Sequence, residues 1–341
     1  MTHSFPFPVL DLRDLDAGAE SAARFRTALL RATHEVGFFY LIGTGITPAL
    51  EEAMLGAARA FFALPEEDKL DIENIKSPHF RGYTRIGGER TAGKVDWREQ
   101  IDIWSEDAAL SPTELADLPP YFRMLGPNLW PAALLHFRDV VLQWQAAVVP
   151  AAHKLLRAWA EALGAPPDYF DKHFTRPSTR MKVVRYPGTE GEETGTLGVG
   201  AHKDGGCLTL LWVQPGAGGL QIRPGDEWVD APPLEHGFVC NIGEMVERAT
   251  AGYLKATVHR VVAPRAPAER ISVPMFFNPS LDARFPALEL PPDLRKSGEY
   301  HQDPDDVIHE VYGDNLLKSR LRAHPDVAAI HHPDLVQSGA Y

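Results

Sequence analysis

The sequence has few cysteines, no long hydrophobic run and no excess of positive charge, and each shortage excludes a class of protein. Two cysteines in 341 residues, Cys207 and Cys240, argue against a disulfide framework and suit a reducing compartment. They are expected to be small residues in a β core. No apolar segment approaches the roughly 20 residues that a membrane-spanning helix needs. The 34 basic and 46 acidic residues give a net charge of −12, which argues against a nucleic-acid-binding surface.

Targeting signals and internal divisions are also missing from the sequence. The N-terminus, Met-Thr-His-Ser-Phe-Pro, has no basic segment followed by an apolar one, so we expect no secretion signal and a cytoplasmic protein. There is no internal repeat, low-complexity segment or proline-rich linker. We therefore predict a single domain over 1–341, with helices and strands in 1–100, a β-rich core in 175–285 and a C-terminal helix in 305–325. No oligomeric state is predicted.

Apolar residues at helical spacing predict helices mainly in the first half, and the first third is expected to be mostly helical. The predicted helices span residues 21–34, 47–64, 133–163 and 308–323. Thr47 is a plausible cap before Pro48 at the first helical position, and Gly164 should end the third helix. Trp144 and Trp159 on that helix are expected in the core. From 181 onward, short β-branched and aromatic runs separated by Gly and Pro are typical of an antiparallel sandwich or jelly roll.

Two histidines and one aspartate suggest a metal site. His202 and Asp204 are two residues apart, and on a strand such side chains share a face, so both could reach one ion while Lys203 points away. His259 lies in a β-branched run that also predicts a strand. Two imidazoles and one carboxylate form the facial triad of non-haem Fe(II) sites, which leaves positions open for substrate and O₂. With 14 histidines in the chain, however, such a pair can also arise by chance.

A second polar pair follows the last of these histidines. Arg270 and Ser272 are again two apart on a predicted strand, and Phe276 shares their face if the strand continues. A guanidinium binds a carboxylate bidentately, and a neighbouring hydroxyl adds one more hydrogen bond. This pattern predicts a dicarboxylate or amino-acid ligand near the metal.

Zinc is the competing metal. A two-histidine, one-carboxylate set also serves hydrolytic zinc enzymes, which usually place a glutamate as general base on a helix that carries both histidines. No such helix is predicted here, and Glu244 and Glu247 are the available candidates.

The motifs together resemble the isopenicillin N synthase-like family of Fe(II)/2-oxoglutarate-dependent dioxygenases over nearly the whole length. Their order and spacing are more specific than any one of them. The matching segments are Phe7-Pro-Val-Leu-Asp-Leu12, Val36-Gly-Phe-Phe-Tyr-Leu-Ile-Gly43, Arg185-Tyr-Pro187, His202-Lys-Asp204, Gly219-Leu-Gln-Ile222, Asn241-Ile-Gly-Glu244, His259-Arg-Val261 and Arg270-Ile-Ser272.

The resemblance implies a double-stranded β-helix (jelly roll) packed against N-terminal helices and a C-terminal helix. It also implies that 2-oxoglutarate chelates the iron, with its far carboxylate on Arg270 and Ser272 and Tyr186 assisting. The expected reaction consumes O₂, releases succinate and CO₂, and oxidises a C–H bond of a small-molecule substrate by hydroxylation, desaturation or a related step. No protein acid or base is needed, so no catalytic residue is predicted beyond the metal site.

Two further alternatives remain open. Isopenicillin N synthase and aminocyclopropane-carboxylate oxidase share the triad and the arginine-x-serine pair but take electrons from substrate or ascorbate, so the cosubstrate is not settled by these motifs. A non-catalytic binding protein on the same fold is the non-enzyme alternative.

A glycine-rich, charged stretch at 80–96 could be a solvated loop. However, it resembles a segment that occurs in bacterial and fungal members of the family, one of which is the ethylene-forming enzyme. The resemblance implies that Glu89, Thr91 and Arg322 approach the substrate. Gly205 stands where that relative has tyrosine, and Tyr186 where it has phenylalanine. Val184 likewise replaces an asparagine that is common in plant members. These departures argue against ethylene formation and against arginine as the substrate.

Two aromatic residues are the predicted apolar walls of the substrate pocket. Phe276 and Trp212 could line it, which would suit an aromatic scaffold. Glu89 and Arg322 carry opposite charges and would instead favour an amino acid or a small peptide, unless they pair only with each other or with solvent. The identity of the substrate is not predicted.

Overall fold

The structure is a computed structural model that describes residues 6–190, 196–285, 287–295, 300–304 and 306–338. The first five residues, which belong to the segment examined for a secretion signal, lie outside these ranges. The strands are β1 (Val9–Asp11), β2 (Phe38–Ile42), β3 (Gly82–Thr84), β4 (Arg90–Thr91), β5 (Lys94–Val95), β6 (Glu99–Trp104), β7 (Ser178–Tyr186), β8 (Leu197–His202), β9 (Leu208–Val213), β10 (Leu220–Ile222), β11 (Val229–Asp230), β12 (Phe238–Ile242), β13 (His259–Val262) and β14 (Arg270–Asn278).

The helices lie mostly before β7 and after β14. They are α1 (Ala19–Glu35), α2 (Pro48–Phe62), α3 (Glu66–Leu70), α4 (Pro112–Leu115), α5 (Phe137–Ala162), α6 (Glu244–Ala249), α7 (Pro292–Arg295), α8 (Tyr312–Ala323), α9 (Pro325–His331) and α10 (Pro333–Ser338). Short 3₁₀ turns cover Leu12–Leu15, Asn74–Lys76, Pro120–Met124 and Asp171–His173.

Two sheets form the jelly roll. The larger has eight strands in the order β1-β2-β12-β9-β14-β7-β6-β3, and the smaller has four in the order β11-β10-β13-β8. All pairs are antiparallel except β1 with β2. The strands β4 and β5 form a separate hairpin. The predicted fold class, a double-stranded β-helix with flanking helices, is confirmed.

Two apolar cores explain why the layers hold together. One lies between the sheets and joins side chains such as Phe38 and Val184 of the large sheet to Leu220 and Val261 of the small one. The other lies between the opposite face of the large sheet and the helices. The inner core ends where polar side chains begin to line a cavity, and that cavity holds the predicted site residues.

The helix predictions are confirmed with small differences at the ends. Thr47 accepts a hydrogen bond from the Leu50 backbone N–H at 3.2 Å, and Pro48 opens α2. Trp144 and Trp159 of α5 are fully buried. Both cysteines are buried and burial raises the pKa of each thiol.

Three expectations need correction. Helix α8 starts at Tyr312 rather than 308, because the Asn315 side chain donates to the His309 carbonyl at 2.9 Å and accepts from its N–H at 2.7 Å, holding that stretch outside the helix. The first third is not mostly helical, since six strands accompany its described helices. Strand β8 ends at His202, so Asp204 lies in the following loop and not on the strand.

Candidate metal centre and its cavity

His202, Asp204 and His259 converge on one point. His202 ends β8 and His259 begins β13, and the two are direct partners across this antiparallel pair, with ring centroids 4.3 Å apart. The Asp204 Oδ1 atom lies 3.6 Å from His202 Nε2 and 3.9 Å from His259 Nε2. One ligand atom from each residue lies within 4.8 Å of the others. Because metal bonds of about 2 Å place neighbouring ligand atoms roughly 3 to 4 Å apart, small side-chain adjustments would let all three bind one ion.

Hydrogen bonds aim the two imidazoles at that point. His202 Nδ1 lies 2.8 Å from the Gly200 carbonyl oxygen, and His259 Nδ1 lies 3.1 Å from that of Thr257. A carbonyl only accepts, so each Nδ1 carries the proton and each Nε2 keeps its lone pair for a metal. The Phe38 ring packs edge-on against His259 at 5.2 Å between centroids and fixes the ring plane.

The Asp204 carboxylate is oriented in the same way. Its Oδ2 accepts from Thr209 Oγ1 at 2.6 Å and from Asn241 Nδ2 at 2.8 Å, which leaves Oδ1 facing the histidines. Thr209 and Asn241 are neighbours on β9 and β12, so the large sheet itself holds the carboxylate. Such outer hydrogen bonds keep a ligand in place and tune its basicity.

The loop that carries Asp204 is held by close backbone packing. The Asn278 side chain accepts from the Cys207 N–H at 2.7 Å. A Cβ at Gly206 would fall 2.0 Å from that same Asn278 oxygen, so a larger residue there would displace the Asn278 side chain. The Glu244 N–H donates to the Asp204 carbonyl at 2.8 Å and ties the loop to the start of α6. A loop, pinned at three places, therefore positions the carboxylate.

The charges of the three groups suit a cation. Burial opposes ionisation of Asp204, but contacts with His202 and His259 lower its pKa well below the usual range. Burial lowers the pKa of His259 to about 4, and the neighbouring His202 adds to the effect. The pKa of His202 is raised, since its contact with Asp204 outweighs the opposing effect of burial.

Arg270 presents a free donor within the same cavity. The side chain is 1% exposed. Its Nε donates to the Gly218 carbonyl at 3.0 Å and Nη1 donates to Ser272 Oγ at 2.9 Å, while the buried Nη2 has no partner within the described residues. The centroid of the Tyr186 ring lies 4.7 Å from the guanidinium. The ring fits there because Gly198 has no Cβ, which would lie only 2.4 Å from the ring. A buried guanidinium with an unused donor fits a carboxylate ligand.

The metal centre and the Arg270 donor open onto one cavity of about 450 Å³. Arg270, Ser272 and Phe276 line it from alternate positions of β14, as their spacing predicted. The hairpin β4–β5 and helix α8 also contribute residues to its lining. This volume is within the range for small-molecule sites.

Glu89 lies in this cavity wall but is already paired. The side chain is buried, and Lys182 Nζ donates to its two oxygens at 2.8 and 2.9 Å. Arg98 Nη2 donates to Glu89 at 2.8 Å and to Asp96 at 2.9 Å. Burial opposes ionisation, but Arg98 and Lys182 hold the pKa of Glu89 well below its usual range.

The other substrate-side residues occupy different parts of the cavity. Thr91 donates to Asp96 at 2.7 Å. Arg322 is half exposed and donates to Asp306 at 2.9 Å. Glu89 and Arg322 therefore do not pair with each other, and each has a partner within the protein. Their internal partners make both less available to a ligand than the sequence suggests.

Of the two predicted aromatic walls, one faces the cavity and one does not. Phe276 lines it and packs against the Arg180 guanidinium at 4.9 Å. Trp212 is a correction, since it lies on the opposite face of β9 and packs edge-on against Trp144 in the helix-side core. Thr209 and Leu211 line the cavity, so the alternation of the strand places Trp212 on the other side.

Several charged residues that line the cavity were not predicted from the sequence. Lys182 and Arg180 lie on β7, Arg98 just before β6, and Arg320 on α8, and all four line the cavity. One signal was available: Arg180 and Lys182 share a face with Tyr186 by strand alternation. Their position on the same strand face as Tyr186, which was predicted to lie at the cosubstrate, could have marked them.

The comparisons with known proteins agree with this geometry. Residues 7–133 match the family model described as non-haem dioxygenase in morphine synthesis N-terminal, and residues 178–279 match the 2OG-Fe(II) oxygenase superfamily. A 2-oxoglutarate-dependent dioxygenase, frbJ, of Dothideomycetidae sp. (strain 11243) is 34% identical, covering 94% of this chain and 90% of the relative. A homoarginine-6-hydroxylase of Arabidopsis thaliana is 32% identical over 85% of this chain and 79% of its own length.

Solved structures support the same assignment. A full-length Neurospora crassa protein in complex with alpha-KG superposes with a TM-score of 0.74 at 26% identity, covering 94% of this chain and 97% of that one. A putative 2OG-Fe(II) oxygenase family protein of Caulobacter crescentus gives 0.73 at 27% identity, covering 94% and 99%. These names agree with oxygenase chemistry and not with zinc hydrolysis. The chain therefore belongs to the 2OG-Fe(II) oxygenase superfamily and is an Fe(II)- and 2-oxoglutarate-dependent oxygenase of a small-molecule substrate.

Proposed function

We propose that His202 Nε2, Asp204 Oδ1 and His259 Nε2 bind the Fe(II) of this oxygenase. The support is their convergence on one point, with each second hydrogen-bonding atom occupied by the protein. Bound iron and 2-oxoglutarate supply the activation of O₂, which yields succinate, CO₂ and one oxygen atom for oxidation of the substrate. The protein side chains hold the ligands in place and keep water out.

Arg270 and Ser272 bind the far carboxylate of 2-oxoglutarate, and Tyr186 supports the guanidinium from below. The single observation that carries this assignment is the buried Arg270 Nη2 atom, which lacks a partner among the described residues. A carboxylate oxygen would satisfy it, and Ser272 Oγ, already held by Arg270 Nη1, can donate its own proton to the second oxygen. An unsatisfied buried donor costs roughly 1 to 3 kcal/mol, which binding would recover.

The reaction is oxidation of an unactivated C–H bond, by hydroxylation, desaturation or a related step. It needs no protein acid or base, and the buried Lys182 and Glu89 side chains of the cavity wall are paired with each other. The substrate lies against Phe276, between the hairpin that carries Thr91 and the helix that carries Arg322. Glu89 contributes by fixing Lys182 and Arg98 in the wall.

The whole chain, 1–341, acts as one domain in the cytoplasm, without nucleic acid or membrane partners. The family models together span both the helical N-terminal part and the jelly-roll core. No helix of the described residues is long and apolar enough to cross a membrane. The net charge of −12 supports the absence of a nucleic-acid partner.

Succinate release tests the residue assignment. The iron-loaded protein should convert 2-oxoglutarate into succinate under air, slowly without a substrate and faster with one. Asp204→Ala should reduce this release to the rate of free iron, whereas Lys203→Ala should retain it, because the Lys203 ammonium is not one of the three converging groups and is paired with Glu247 at 2.9 Å. Equal succinate release by wild type and Asp204→Ala would refute the assignment.

A further inference from the structure

Arg180 has an unusual setting in the cavity wall. It lies on β7 directly between Trp104 of β6 and Phe276 of β14, its partners on the two neighbouring strands. The guanidinium carbon is 5.6 Å from the Trp104 ring centroid and 4.9 Å from that of Phe276. Contact with two aromatic faces holds the charged group in place and removes much of its water.

Among the described residues, no carboxylate pairs with this guanidinium. Within the part of the chain that the structure describes, Arg180 makes no hydrogen bond and no ion pair, and its buried Nε has no partner. Arg270 is the other cavity guanidinium with an unsatisfied donor and no carboxylate partner, and it is assigned to 2-oxoglutarate. Arg180 on β7 likewise has an unsatisfied donor and no carboxylate partner among the described residues, but no ligand has yet been assigned to it.

The buried carboxylates nearest to this wall are paired with other cations. The three buried carboxylates of this wall, Glu89, Asp96 and Asp102, are contacted by three cations: Lys182 contacts Glu89 and Asp102 at 2.8 and 3.2 Å, and Arg98 contacts Asp96 at 2.9 Å. The third cation is Arg320, which lies 3.6 Å from Glu89 and 3.8 Å from Asp102. Each of these three carboxylates therefore has a cationic partner other than Arg180.

Arg320 of α8 is itself only weakly engaged. Its contacts to Glu89 and Asp102 are too long for hydrogen bonds, and its Nη1 and Nη2 atoms make only long contacts, to His324 Nε2 at 3.4 Å and to Ser319 Oγ at 3.5 Å. Its buried Nε has no partner among the described residues. Burial, followed by the positive charge of Arg180, lowers the pKa of Arg320. Two guanidiniums that repel each other across a cavity, each with a spare donor, provide favourable contacts for an anion placed between them.

The position relative to the metal centre fits a substrate. Arg180, Phe276 and Thr209 follow one another across the adjacent strands β7, β14 and β9, and Thr209 holds the metal-facing Asp204. Strands lie about 4.8 Å apart, so Arg180 lies roughly 10 Å from Thr209 along this row. A molecule anchored at Arg180 can cross the Phe276 ring and reach the metal centre.

We propose that Arg180 and Arg320 form the anchoring site for a carboxylate of the substrate, whose flat or apolar body lies on Phe276. The substrate class is a small carboxylic acid that is oxidised at a carbon distant from its carboxylate. A carboxylate offers two acceptor oxygens that can meet the fork of a guanidinium that has no carboxylate partner among the described residues. This inference rests on the proposed function and deepens it.

The test compares acids with their uncharged amides. The full-length protein is loaded anaerobically with Fe(II) and 2-oxoglutarate, and calorimetric titrations measure binding of benzoate, hexanoate and 3-phenylpropanoate, each paired with its primary amide. At least one acid should bind about tenfold more tightly than its amide, the effect of one charge-assisted hydrogen bond. Arg180→Gln should abolish this preference, and Arg180→Lys, which keeps the charge but loses the fork, should retain part of it.

Arg176→Gln is the matched control. Arg176 is an exposed arginine that lies near the start of the same strand, and its guanidinium pairs with Asp107 outside the cavity. It should keep the full preference. No preference in the wild type, or a preference that survives Arg180→Gln, overturns the proposal. If Arg180→Gln does not fold, as judged by circular dichroism, an undiminished preference in Arg180→Lys overturns it.

Binding of 2-oxoglutarate is measured separately through the visible charge-transfer absorption of its Fe(II) complex. Arg180→Gln should keep this absorption, because Arg270 holds the cosubstrate. Loss of the absorption in Arg180→Gln would place 2-oxoglutarate at Arg180 and overturn the proposal. Absence of the absorption in the wild type would instead contradict the proposed cosubstrate site, and the acid–amide comparison with Fe(II) alone would still decide the role of Arg180.

Discussion

His202 and His259 face each other directly across the strand pair β8–β13, with their ring centroids 4.3 Å apart. Each histidine keeps Nδ1 on a backbone carbonyl two residues before it in the chain, so both Nε2 atoms point the same way. Backbone register therefore sets the spacing between the two proposed iron ligands. Asp204, the third proposed ligand, lies in a loop. Its position therefore depends on its hydrogen bonds rather than on strand register.

Loss of any one proposed ligand should remove the metal. Alanine at His202, Asp204 or His259 leaves two protein ligands, and bound iron measured by elemental analysis should fall from about one equivalent to near zero. Lys203→Ala is the control and should bind iron normally. Retention of one iron per chain by all three alanine variants would refute the assignment.

The side chains that donate hydrogen bonds to Asp204 should also contribute strongly to metal affinity. Thr209→Val and Asn241→Ala each remove one hydrogen bond to the carboxylate, and such outer partners are typically worth 10- to 100-fold in metal affinity. Competition titrations with a coloured chelator measure the change. Leu211→Ala, also in the cavity wall but without contact to Asp204, provides the comparison, and equal affinities for all three variants would contradict the prediction.

Arg270→Lys should weaken binding of 2-oxoglutarate while leaving the iron in place. The ammonium keeps the charge but cannot serve Gly218, Ser272 and a ligand carboxylate at the same geometry. The expected loss is roughly tenfold or more, about 1.4 kcal/mol. Anaerobic titration of the Fe(II) complex with 2-oxoglutarate measures it, and an unchanged dissociation constant would place the cosubstrate elsewhere.

Metal affinity should fall in acid. The contact with Asp204 raises the pKa of His202 above its ordinary value of 6.5, so a proton competes with the metal once the pH drops below the raised value. Each further unit of acid should cost up to about tenfold in affinity. His259, with its pKa lowered to about 4, adds a second loss only in stronger acid. Titrations with Co(II) between about pH 8 and pH 5.5 test this, and a constant affinity would contradict it.

Glu89→Gln should destabilise the fold far more than Arg322→Gln. The first leaves buried Lys182 and Arg98 short of a negative charge, and breaking a buried pair costs about 3 to 5 kcal/mol. Arg322 is 50% exposed and its pair with Asp306 is solvent-screened, so its loss should change the free energy of unfolding by at most about 0.5 kcal/mol. Urea unfolding of the two apoproteins provides the measurement. Similar unfolding midpoints would contradict the expected difference.

The sequence by itself determined the family, the jelly-roll fold and the helices α1, α2 and α5. Periodicity suffices for such elements, because a helix or strand that buries one face must repeat apolar residues at its own spacing. The face shared by Arg270, Ser272 and Phe276 follows from the same alternation. Residue types and spacing suggested the grouping of the two histidines with Asp204, and the resemblance added 2-oxoglutarate as the ligand of Arg270 and Ser272.

Only the tertiary structure decided which charges meet. Glu89 comes from the segment before the hairpin, Lys182 from β7 and Arg320 from α8, and no local pattern records that they converge. The pairing of Trp104, Arg180 and Phe276 depends on the register of three strands that are distant in sequence. Charge pairing depends on such long-range contacts, so the sequence alone could not show that Arg180 has no carboxylate partner among the described residues.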